Sequence, residues 1–134
     1  MRILISFIFC LVILTGCTQS EQGSAGNLTE TLTTHNPTAK EILAKTPNAD
    51  IFQLGGIVYS NASDIDWVQA AKLTIETSIG TIKKEYKDGI AFEDEMATKL
   101  PAGTEIYEPV KNSGPILIVK LNGKEIRYLG LLEG

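Results

Sequence analysis

The chain has 134 residues, 12 basic against 16 acidic side chains, 43% hydrophobic residues and a formal net charge of −4. That acidic balance repels phosphate backbones and excludes nucleic acid as a partner on electrostatic grounds. The sole histidine, His35, stands beside Asn36-Pro37 in a polar stretch and reads as a solvated linker residue. With no histidine or available thiol in the region of apolar patterning, Ser-His or Cys-His nucleophile activation and histidine or cysteine metal sites lack their parts.

Arg2 precedes the apolar run Ile3 to Leu14, which falls short of the roughly 20 residues a bilayer span needs. Polar residues from Thr18 to Ser24 follow, without a basic stop-transfer cluster. A charged start, a short apolar segment and then small residues are the parts of an export signal. Here the small residues end on a cysteine. Leu14-Thr15-Gly16-Cys17 resembles the lipobox of bacterial lipoproteins. The resemblance implies a signal peptide over residues 1–16, diacylglyceryl transfer to the Cys17 sulfur, and membrane attachment on the extracytoplasmic face through the N-terminal lipid. Two acyl chains hold a protein stably where a single chain holds it marginally. Cys10 leaves with the signal and Cys17 carries lipid, so the exported domain relies on its core without disulfides.

Residues 17–36 read as a lipid-anchored flexible tether: Ser, Thr, Gln, Glu, Gly and Asn dominate, and Leu28 and Leu32 are isolated. Such a segment buries too little apolar surface to offset chain entropy. Residues 37–134 then form one globular domain. Pro37 and the helix formers after it predict a short helix over 38–46, stopped by Thr46-Pro47-Asn48. The runs 51–54 and 57–59 predict two paired strands, because Gly55-Gly56 tolerates the positive angles of a two-residue turn. Asn61 to Asp64 offer capping side chains, Asp64 foremost, for a two-turn helix in which Trp67 plugs into the core among Ile65, Val68 and Ala71. Alternation predicts strands near 72–76 and 79–86, then a turn and strand over 97–107. The clearest local signal is Asn122-Gly123 between 116–121 and 124–129, a type I′ hairpin whose first strand, apolar on both faces, belongs in a covered central position. Residues 130–134 end as an extra strand or a tuck. The class expected is α+β, a small curved antiparallel sheet with one or two short helices; the alternative is an all-β SH3-like small barrel.

Carboxylates gather at Asp64 and Asp66 and again from Asp88 to Glu95, without the ligand spacing of a calcium loop. They read as capping and solvated loop residues, so neither a metal nor a cofactor is expected. Most aromatic residues lie on alternating strands and read as core. Tyr107, beside Glu108-Pro109, and Tyr128, beside Arg127, are the positions able to present an edge to a partner, and these three residues are the candidate binding site.

Leu100 to Tyr107, with Pro101 and Gly103 shaping a turn before a strand, resembles a phrase of bacterial SH3-like wall-binding domains. More broadly, Asp50-Ile51-Phe52, Gly56 to Tyr59, Asp66-Trp67-Val68, Thr98 to Pro101 and Gly123 to Tyr128 resemble small lipoproteins of Gram-positive bacilli, a group with no established activity. No catalytic residue comes with either resemblance. The expectation is a membrane-anchored lipoprotein, not an enzyme, whose domain binds an envelope protein, a peptide or a wall polymer. An inhibitor or immunity-type protein at the cell surface is the alternative.

Overall fold

The computed structural model describes residues 34–111 and 114–134. Cys17, the expected signal segment and most of the expected tether lie outside them. The described elements are α1 (Ala39–Lys45), β1 (Ile51–Leu54), β2 (Ile57–Asn61), α2 (Asp66–Ala70), β3 (Ile75–Thr81), β4 (Lys84–Glu85), β5 (Met96–Ala97), β6 (Glu105–Pro109), β7 (Ile116–Leu121) and β8 (Lys124–Gly130).

All eight strands join one sheet in the order β3-β6-β7-β8-β2-β1-β5-β4. Strands take 38% of the described residues and helices 12%, so the domain is nearly all-β and the α+β expectation is overturned. The reason is size. Helices of seven and five residues are too small to form a layer, so the sheet covers its own apolar face by curling into a half-barrel. β3 and β4 lie at opposite edges of the sheet, yet only Ile82 and Lys83 separate them in the chain. Ile82 N donates to Thr104 O at 2.8 Å and Lys83 N to Glu95 O at 2.8 Å, carrying the chain from one edge to the other. The expected strand boundaries near 72–76 and 79–86 shift accordingly to 75–81 and 84–85.

The concave side holds the core: Phe52, Tyr59, Ile82, Leu100, Ile106, Leu117, Val119 and Tyr128. Phe52 stacks on Tyr59 at 5.1 Å between centroids and meets Tyr128 edge-on at 5.0 Å. Both are favoured geometries for rings with a negative face and a positive edge. Gly130 permits the closest approach. A Cβ there would lie 3.0 Å from the Tyr59 ring and 3.2 Å from the Pro115 carbonyl, too close for any side chain to be added without movement.

α1 is bounded by a capping box in which Glu41 N donates to Thr38 Oγ1 at 3.3 Å and Thr38 N donates to Glu41 Oε2 at 2.8 Å. The Thr38 N–H bond first, then the Thr38 hydroxyl, which donates to Glu41 Oε2 at 2.8 Å, and last His35 hold the Glu41 carboxyl down at about 2. His35 Nε2 stands 3.2 Å from Glu41 Oε1, and Glu133 N donates to Asn36 Oδ1 at 3.1 Å. The domain therefore includes the last residues assigned to the tether. Ala39, with Ile42 and Leu43, packs α1 on Ile51 and Val58.

β7 is buried along Ile116 to Val119, as its two apolar faces predict. Leu117 and Val119 face the concave core, and Ile116 packs under Val68 of α2 on the convex side. The hairpin to β8 turns at Asn122, φ 51°, and Gly123, φ 73°, the positive angles of a type I′ turn. Gly123→Val places a β-branched residue in that region and is expected to cost about 1 to 3 kcal/mol, read as a lower urea midpoint with an unchanged slope.

Burial, then the Asp50 charge and hydrogen bond, raise the Tyr128 phenol far above its ordinary value, and burial followed by Glu108 raises Tyr59. The stability these phenols contribute is complete below their unfolded value of about 10. Above it the unfolded chain releases protons that the folded chain keeps, so stability falls as pH climbs from 10 toward the folded values. Urea midpoints should therefore drop between pH 9 and pH 11. Tyr128→Phe should be less stable at pH 7 and lose part of that alkaline slope.

Candidate functional site

The three candidate residues have different fates. Tyr128 is fully buried and its hydroxyl donates to Asp50 Oδ1 at 2.9 Å, which makes it core and removes it from any contact surface. Its position on β8 explains the correction: Tyr128 lies opposite Leu117 and Asn61, on the concave face, while its neighbour Arg127 faces the other way. Arg127 is half-buried, and its Nη1 donates to the carbonyls of Val68, Gln69 at 3.0 Å and Ala71 at 2.8 Å. A cation on the open carbonyls at the end of a helix is favourable for both the hydrogen bonds and the helix dipole. Arg127 is thus the pin that seats α2. Tyr107 is half-buried as well, with its hydroxyl donating to Glu105 Oε2 at 2.5 Å and Lys120 Nζ 4.9 Å from its ring centre. The Glu105 bond raises its phenol.

The acidic stretch 88–95 is tied into the fold. Asp94 Oδ1 accepts from Gln53 Nε2 and Gly56 N, each at 2.9 Å, and Glu95 pairs with Lys83. Among the described residues no group of three or more metal-ligating side chains converges. Asp64 does not cap α2, whose N-cap is Ile65 without a side-chain bond; Asn61 Oδ1 accepts from Ser63 N at 2.9 Å and braces the turn.

Trp67 overturns the expectation that it is core: it is 56% exposed. A five-residue helix has room for one inward position, and Val68 takes it. Successive helical residues point about 100° apart, so Trp67 is turned aside. The shortness of the stretch between Asp64 and Gln69 is the signal that could have identified it.

Beside α2 lies a groove that alternation missed. The β3–β6 register runs Ile75 to Pro109, Thr77 to Glu108, Ser78 to Tyr107 and Gly80 to Ile106. Glu76 and Ile79 are left without partners on β6, as the extra residues of two bulges. Both line a groove of about 340 Å³ together with Glu108, Val110 and Lys111. Ile116 lines its floor and also packs against Val68, so the groove and α2 adjoin. At the end of β6, Val110 N donates to Thr74 O at 2.9 Å and fixes the groove to the segment leaving α2. The sequence shows only the break at Thr77-Ser78 between the expected strands near 72–76 and 79–86, which marks neither bulge nor the residue it ejects. A second hollow, lined by Lys83, Lys84, Glu85, Lys87 and Ala102, offers no large apolar side chain.

Arg127→Met keeps the apolar stem and removes every donor to the α2 carbonyls. It should cost about 1.5 to 3 kcal/mol and alter the emission of Trp67, the sole tryptophan, before global unfolding begins. Comparison of the chain with protein-family models, curated protein sequences and solved structures finds no match.

Proposed function

We propose that the chain is a lipid-anchored extracytoplasmic protein, held at the cell membrane through Cys17, whose domain is a non-catalytic module that binds an envelope protein, a peptide or a wall polymer. The observation that carries this reading is Trp67, half out in solvent on a helix that Arg127 and Val68 hold in place. Tryptophan supplies more binding energy per residue than most side chains, and presenting it from a rigid mount avoids an ordering penalty on association. The groove, joined to α2 through Ile116, adds the exposed apolar residues Ile79 and Val110. Anchoring rests on Leu14-Thr15-Gly16-Cys17 and the short apolar run before it.

Capture from envelope extract by the lipidated chain tests the binding role, with purified wall as a competing matrix. Trp67→Ala should change stability by less than about 1 kcal/mol, as surface substitutions do, while abolishing capture. A loss of about 3 to 5 kcal/mol, the range for a buried tryptophan, would return Trp67 to the core and remove the argument. Cys17→Ser should leave the protein unprocessed or shed, read by mass spectrometry of its N-terminus.

A further inference from the structure

We propose that the groove between β3 and β6 receives a peptide segment in which a lysine or arginine stands beside a branched apolar side chain. The proposal names the partner of the binding module and rests on that reading. It begins from the two bulges. Their extra residues, Glu76 and Ile79, are the two side chains of β3 that pairing with β6 does not use, and both line the groove. Bulges re-aim side chains, and here they aim one carboxylate and one branched apolar group at one cavity. Ile79 and Val110 are 43% and 53% exposed, so the apolar part of the groove has surface left to bury.

Charge selects the occupant. Glu76 and Glu108 outnumber Lys111 on the rim, in a chain that is itself acidic. A cationic side chain beside an apolar one satisfies both kinds of surface, whereas an acidic segment would meet like charge. The volume of about 340 Å³ lies at the small end of ligand sites, enough for two or three side chains. Addition of the peptide as a ninth strand is disfavoured, because two bulges within seven residues break the regular spacing of the free edge. Recognition is therefore by side chains across the groove.

The test is fluorescence anisotropy of the full chain in detergent with a labelled hexapeptide alternating leucine and lysine. Binding is expected, with an affinity that falls as salt rises. A glutamate counterpart should not bind. Exchange of one central residue for proline should be tolerated, and its failure would indicate strand addition and overturn the side-chain mode. Glu76→Gln with Glu108→Gln, which preserves shape, should weaken the lysine peptide on the order of tenfold, and Ile79→Ser should weaken it without changing the salt slope. Asp88→Lys with Glu93→Lys, away from the groove, should leave affinity unchanged. No binding by the lysine peptide, or equal loss in that control, would sink the proposal. If capture from envelope extract still depends on Trp67 while the lysine peptide fails, the binding module stands and its partner is of another kind.

Discussion

The contact on which the rest of the domain depends is the Tyr128 hydroxyl on Asp50. Tyr128 belongs to β8, lies opposite Leu117 of β7 and Asn61 of β2, and meets the ring of Phe52 from β1. Its hydroxyl reaches the residue just before β1, and Asn61 Nδ2 donates to the other oxygen of the same carboxylate at 2.7 Å. One side chain thus links four consecutive strands of the sheet. A carboxylate that accepts two hydrogen bonds tolerates partial burial, whereas one stripped of them would carry a desolvation penalty. Burial first, and then the facing carboxylate, whose charge has the sign the phenol would acquire, keep the phenol from ionising.

From that pin the sheet can curl. A domain of this size without disulfides must bury its apolar face by its own curvature, and the aromatic trio Phe52, Tyr59 and Tyr128 fills the concave side. Gly130 lets Tyr59 and Pro115 close over β8. The helices then act as plugs: α1 closes over Ile51 and Val58, and α2 over Ile116. Arg127 ties the second plug to the strand that carries Tyr128, so the core and the exposed tryptophan share β8.

What was legible in the sequence is what local chemistry decides. Pro37 and the helix formers after it mark α1, and Gly55-Gly56 and Asn122-Gly123 turn hairpins because their angles are positive. What was not legible depends on partners distant in the chain. The face of Tyr128 follows from its pairing with β2 and β7, and the role of Arg127 from carbonyls nearly 60 residues away. The bulges that remove Glu76 and Ile79 from the ladder arise from the register with β6, which no periodicity inside β3 reveals. Trp67 failed differently. Apolar spacing at helical intervals suits a buried stripe, but a helix of five residues has only one such position, and length outweighed pattern.

The free edge of the half-barrel joins these observations. An open strand of seven residues is a template for unwanted pairing, and bulges are a recognised way to make it irregular. Two bulges on β3 serve that end. The residues they eject must go somewhere, and on a strand whose concave side already meets Leu54 and Ile106 at Gly80, they go into the groove beside α2. Protection of the edge and construction of a recognition surface are then consequences of one local irregularity, and the groove adjoins the helix that carries Trp67 because Ile116 packs under both.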